Sequence, residues 1–217
     1  MVTDIRYTSN RDREKAINFL YDLQSKTEHK LRVLDVGGWH NQWAPQFVTD
    51  VIDIFEVGGV NIFKGNINMP YEWQDILEVV EQKGKFDFCI CTHTLEDIAN
   101  PRLALEVMPQ IAHQGFIAIP SKFAEFKMNQ YGFRGSIHHR WIFNKEDEKV
   151  VAYPKINYLE NNRKFFQIEE DFNSTNEELQ FFWKESLQQV EFVNDDYLGP
   201  SDYAVMDYYN KLLNGYG

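Results

Sequence analysis

Asp35, Asp53, Asn66 and the pair Thr92 and His93 each close a short apolar run in the first half of the chain. An acidic side chain at a strand end accepts hydrogen bonds from both hydroxyls of a ribose, and Asp53, with Ile54 beside it, has that place. A carboxamide can pair with an adenine edge, which is a use for Asn66 ahead of Ile67. Gly37 and Gly38 follow Asp35 in the stretch LDVGGWH. A glycine turn after a buried strand lets backbone approach a nucleotide-like ligand, and Trp39 closes that turn. Singly, each residue has a plainer use: an ordinary turn, a solvated strand end, a structural histidine. In this order they describe one site.

A second cluster is GSIHHRWIF, expected on a strand. Alternation then sends His138 and Arg140 to one face and His139 and Trp141 to the other. An imidazole is the natural general base for a substrate hydroxyl near neutral pH, and His139 and His138 are equal candidates. Arg140 could fork onto a carboxylate or phosphate, with Trp141 as a ring to stack on. The alternative is a half-buried strand whose imidazoles bond to backbone. A third cluster, NDDYLGPSD, holds Asp195, Asp196 and Tyr197. Asp196 and Tyr197 are taken as substrate contacts. Histidines with two such carboxylates could hold a divalent cation, but a solvated acidic loop before a helix capped by Ser201 is the preferred reading. No metal is expected.

The elements that must position these groups follow from hydrophobic period. Strands are expected at 32–36, 48–55, 60–67, 85–95 and 116–121, the first and fourth apolar enough to be buried on both faces. Helices are expected over 12–25, briefly over 42–48, over 72–84, and over 101–115 with a break or kink at Pro109. That alternation predicts an α/β fold: a Rossmann-like, doubly wound, mainly parallel sheet with helices on both faces. Beyond Ser121 two β-hairpins are expected, one over 138–156 around a charged turn and one over 179–195, then a helix over 201–213. The chain reads as one domain, 1–217, with a ligand-binding core at 30–121 and an inserted substrate lobe at 122–175.

Composition narrows the partners. With 22 Lys plus Arg against 33 Asp plus Glu, the formal charge of -11 repels phosphate backbones, so no nucleic acid is expected. No apolar run is long enough for a transmembrane helix, and the polar start, MVTDIRYTSN, lacks a signal-peptide core. Cys89 and Cys91 lie two apart on one strand face, which suits reduced core thiols and not a disulfide. A cytoplasmic protein, off the membrane, is expected. Whether it pairs as a homodimer is left open.

On the run LDVGG, the strand end VIDI, the stretch GNINMP and above all FDFCICTHTLEDIANP, residues 30–121 resemble the class I S-adenosylmethionine-dependent methyltransferases, type 11-like. Asn66 stands where the family more often has Asp, and Asp97 where it has His after Leu-Glu. The resemblance implies S-adenosylmethionine as cofactor and S-adenosylhomocysteine as product. It also implies that Asp35, Gly37, Gly38, Trp39, Asp53, Ile54, Asn66, Ile67, Thr92 and His93 line the cofactor site. The expected activity is methyl transfer to an O or N atom of a small molecule or a sugar or glycan intermediate. The alternative is a non-catalytic binding or regulatory protein that keeps the fold. A nicotinamide enzyme fits less well, because the turn lacks the third glycine that lets a dinucleotide-binding helix pack closely.

Overall fold

The computed structural model describes residues 1–38, 43–55, 60–156, 166–193 and 210–213. The main sheet contains β1 (Val2–Thr8), β2 (Val33–Val36), β3 (Val48–Asp53), β4 (Asn61–Lys64), β5 (Phe88–Thr92), β6 (Gln114–Pro120) and β9 (Glu178–Lys184). Between the last two in sequence come β7 (Trp141–Glu146) and β8 (Lys149–Pro154), which form a smaller sheet with β10 (Val190–Phe192). Strands β4-β3-β2-β5-β6 are parallel and β9 and β1 follow at the edge, β9 antiparallel to both neighbours. Strand order therefore reverses between β2 and β5. In a doubly wound sheet, ligands bind outside the carboxyl ends of the strands at that point.

Successive residues of the buried strands feed two separate cores, as a two-residue side-chain period requires. Leu34, Ile52, Cys89, Cys91, Ile117 and Phe181 face one way. That side is covered by α2 (Gln74–Lys83), α3 (Pro101–Ile111) and the smaller sheet. Val33, Val51, Phe88, Ile90, Phe116 and Phe182 face the other way, under α1 (Glu14–Ser25) through Ala16 and Leu20. Both cysteines are free thiols within the first core, as expected.

Helix ends are set locally. Asn100 caps α3 by accepting from the Leu103 amide (3.3 Å), with Pro101 in the first turn. Gly84, at φ +78°, ends α2. Three expectations need correction, and one strand went unpredicted. Residues 42–48 form no helix among those described: Phe47 and Val48 bond back to the Ala44 carbonyl in a single turn, and β3 starts at once. No break occurs at Pro109, since α3 runs to Ile111 and the proline falls in its last turn.

The hairpin expected over 179–195 is not one. Strand β9 inserts between β6 and β1, while β10 joins β8 in parallel. Last, the polar start of the chain is the edge strand β1. A register shift between Thr3 and Arg6, with Asp4 at φ 54°, breaks its alternation and hides it from a period-two reading. Most of the helix expected over 201–213 lies outside the described residues. No described helix is long and apolar enough to cross a membrane.

Candidate functional site

Two cavities open at the carboxyl edge of the parallel strands. The smaller, about 420 Å³, is lined by Gly37, Asp53, Ile54, Asn66 and Ile67 from the β2, β3 and β4 ends. His93 and Thr94 after β5, and Arg140, close its far side. Its walls are tied together by backbone. Gly37 donates to the Ile52 carbonyl (2.8 Å) and Gly65 to the Asp53 carbonyl (3.0 Å), so three strand ends form one rim. The Asp53 carboxylate is buried and accepts from the Phe55 amide (2.9 Å). Asn66 accepts from the Asn68 amide (3.1 Å), and Asn68 in turn accepts from the Asn100 amide (2.9 Å), joining this rim to the start of α3. Asn68 lines the cavity and was not singled out from sequence.

Gly37 needs its φ of +74°, and a Cβ there would lie 2.4 Å from Thr94 Cγ2. A Cβ on Gly38 would lie 2.0 Å from the Asp35 carboxyl carbon. The turn is thus wedged against Asp35, which stands behind it and does not line the cavity. Asp35 is buried with Oδ1 unpartnered among the described residues. Burial, then the charge of Asp53, pushes its pKa up to about 7. Thr92 is likewise fully buried behind the rim. Trp39, Asp195, Asp196 and Tyr197 lie outside the described residues.

The larger cavity, about 790 Å³, is lined by Glu96, Glu125, Tyr131, His138, His139 and Glu178, among others. The two cavities meet at His93 and Asp97, which line both. His93 adopts φ 52°, a strained conformation for a non-glycine residue and one that clusters at functional sites. Its Nε2 lies 2.8 Å from Glu178 Oε1 and its Nδ1 3.4 Å from Glu96. Arg13 bonds the same Glu178 from behind.

His138, His139 and Arg140 are not on a strand. His139 bonds back to the Ser136 carbonyl (3.2 Å) in a turn, and the β7 ladder begins only at Trp141. Strand alternation therefore does not sort these side chains. Both imidazoles face the larger cavity, their rings edge to face at 4.6 Å. Arg140 faces the smaller one, its Nε donating to the Asp97 carbonyl (3.2 Å). Trp141 lines neither: it is buried, donates to the Ile98 carbonyl (3.0 Å) and packs on Phe192.

His139 Nδ1 meets Glu125 Oε1 at 2.5 Å, and the other Glu125 oxygen takes the buried Lys155 ammonium. Burial opposes charge on Glu125, yet Lys155 and His139 hold its pKa below the usual value. Burial also opposes charge on His139, but Glu125, Glu96 and Asp97 together raise its pKa. Sequence reasoning missed Glu125, Lys155, Glu178 and Arg13, whose partners are brought to them only by the fold. Glu96 sat within the quoted FDFCICTHTLEDIANP run and carried a signal that was not used.

The His93–Glu178 pair sets a pH window for stability. Burial works against the His93 charge, but bonds to Glu178 and Glu96 raise its pKa from 6.5 to about 9. Its contribution is whole below pH 6.5 and is lost as pH rises through 9. Glu178, despite burial, falls from 4.5 to about 2 through His93 and Arg13. Its contribution is whole above pH 4.5 and is lost as pH falls through 2. Both are complete between 4.5 and 6.5. His93→Gln should therefore flatten the fall in urea stability between pH 6 and pH 9, by on the order of 2 kcal/mol. An unchanged slope would contradict the pairing.

No family model matches the chain, and no curated protein matches it. Among solved structures, the N-terminal domain of EvdMO1 with SAH bound is 9% identical, with 81% of this chain and 82% of that one covered and a TM-score of 0.43. A SAM-dependent methyltransferase from Agrobacterium tumefaciens is 11% identical, covering 82% of this chain and 63% of its own, at a TM-score of 0.40. The bifunctional kinase-methyltransferase WbdD is 16% identical, covering 52% of this chain and 29% of its own, at 0.38. Resemblance this distant adds nothing to the strand order, which stands on its own.

Proposed function

We propose that the chain binds S-adenosylmethionine in the smaller cavity and transfers its methyl group to an O or N atom of a small molecule or a sugar or glycan intermediate in the larger one. The observation that carries this reading is the junction of two cavities at His93 and Asp97, on the switch point of a doubly wound sheet. A cavity of this volume is in the range of small-molecule sites. The group fits the residues: a glycine turn whose backbone reaches the cavity at Gly37, a carboxylate at the β3 end for ribose hydroxyls, and Asn66 for the adenine edge.

When bound, S-adenosylmethionine supplies an electrophilic methyl carbon. The chain supplies position. Gly37 and Gly38 admit the ligand backbone-close, Asp53 holds the ribose, and Ile54 and Ile67 pack beside the base. Asp35 and Thr92 act from behind the rim, and Trp39 is assigned to the cofactor. His93 and Asp97 stand where the two ligands would meet, and the acceptor atom must approach in line from the larger cavity. His138 and His139 face that approach, one of them as the group that eases deprotonation of an acceptor hydroxyl. Arg140 is assigned to the junction, and Asp196 and Tyr197 to the acceptor. Trp141 acts as the anchor that seats the His138–Arg140 turn.

Calorimetric titration with S-adenosylhomocysteine tests the ribose assignment. Asp53→Ala should weaken binding by about 1–3 kcal/mol through lost charge-assisted hydrogen bonds. Unchanged affinity in a folded variant, or preferential binding of NAD, would remove the reading. Binding without transfer to any hydroxylated or amine acceptor would favour the regulatory alternative.

A further inference from the structure

The geometry points to a divalent-metal site formed by Asp97, His138 and His139 at the junction of the two cavities. It rests on the methyl-transfer reading for its purpose, but not for its existence. One carboxylate oxygen and two ring nitrogens lie within 4.8 Å of one another. Asp97 Oδ1 is 3.6 Å from Nε2 of His138 and 3.6 Å from Nε2 of His139. That is too long for hydrogen bonds, and this same Oδ1 is buried with no hydrogen-bond partner among the described residues. Ligand atoms about 2.0–2.1 Å from a common ion would stand roughly 3–3.5 Å apart, and both Asp97–imidazole separations already come close to that span.

A second feature is independent of those distances. The far nitrogen of His139 is held by Glu125 at 2.5 Å, and Glu125 is itself anchored by the buried Lys155. A carboxylate on the outer nitrogen is the usual support of a metal-bound imidazole: it fixes the ring and raises its basicity. Two imidazoles with one carboxylate favour a first-row ion such as Zn²⁺, Co²⁺ or Fe²⁺ over Mg²⁺ or Ca²⁺, which prefer all-oxygen shells. Three protein ligands on a cavity wall leave coordination positions open to a bound molecule.

An acceptor hydroxyl in such a position would lose its proton to water in the open cavity. Its oxygen would then form the bond to the methyl carbon as the carbon–sulfur bond breaks, giving methylated acceptor, S-adenosylhomocysteine and one proton. The ion stays divalent throughout. The histidines thus lower the acceptor's pKa through the metal, and neither is the base itself.

Zn²⁺ alone, titrated calorimetrically into the full chain, should bind one to one, and Co²⁺ should give a visible absorption band in the same stoichiometry. His138→Ala, at an exposed side chain that should leave folding intact, is expected to weaken Zn²⁺ binding at least 100-fold, as is Asp97→Ala. Glu125→Gln should weaken it about 10–100-fold. No binding tighter than about 10 µM, or binding unaffected by His138→Ala and Asp97→Ala, would reduce the cluster to an imidazole–carboxylate ion pair and overturn the proposal. S-adenosylhomocysteine titrated in parallel separates the two assignments. Metal binding with this variant pattern but no S-adenosylhomocysteine binding upholds the metal site and removes methyl transfer. The reverse result removes only the metal site.

Discussion

Glu125→Ala is expected to lower stability by about 3–5 kcal/mol, because it removes the buried carboxylate that pairs with both Lys155 and His139. Lys155 is almost fully buried, and besides Glu125 it donates to the Arg134 carbonyl (3.1 Å), which carries no charge to balance it. The pair stands under the site: Glu125 reaches His139 on one side and Lys155 on the other. Loss of Glu125 should therefore also disorder the His139 ring and depress turnover, beyond what instability explains. A double-mutant cycle with Lys155→Met, followed by urea denaturation, isolates the pair. If the broken buried pair is the cause, the double variant should recover about half the loss or more, since replacing both partners by apolar groups removes the buried charge as well. Additive losses would show that Glu125 acts through something else.

Gly37→Val should abolish S-adenosylhomocysteine binding, with affinity down more than 100-fold, and should also cost about 3 kcal/mol of stability. From sequence alone, binding is expected to suffer more than folding. The structure adds a steric reason for both losses, because the new Cβ would lie 2.4 Å from Thr94 Cγ2 and 2.5 Å from Thr94 Oγ1. Gly84 supplies a control. Its φ of +78° is similar, yet nothing lies within 4 Å of a Cβ built there. Gly84→Ala should lose only the conformational part, about 1–2 kcal/mol, and leave ligand affinity unchanged. Equal losses at the two glycines, in denaturation and in calorimetry, would mean that the β2 turn has no special relation to a ligand.

The parallel core was legible because its physics is local. Short β-branched and aromatic runs such as FDFCICT suit strands buried on two faces, and Asn100, Pro101 and Gly84 mark helix ends by rules that need no tertiary context. The cleft residues Gly37, Asp53, Asn66 and His93 were legible for the same reason: a parallel sheet brings successive strand ends to one edge. What escaped depends on distant pairing. Glu178 meets His93 across 85 positions, and Lys155 meets Glu125 across 30, with no pattern at either place. Strand β9 could not be assigned to the main sheet because an apolar run such as LQFFW reads equally well as one arm of a hairpin, and β1 is disguised by its bulge. The turn at 136–139 was masked by the apolar residues that follow it, which made the strand seem to begin too early.

A crystal structure of the chain with S-adenosylhomocysteine is the deciding measurement for cofactor placement. The ribose hydroxyls should lie within hydrogen-bond distance of the Asp53 carboxylate, the adenine beside Asn66 and Ile67, and the sulfur should point past His93 and Asp97 toward His138 and His139. Electron density for the ligand anywhere other than between Gly37 and Asn66, or a sulfur turned away from the larger cavity, would contradict methyl transfer at this site.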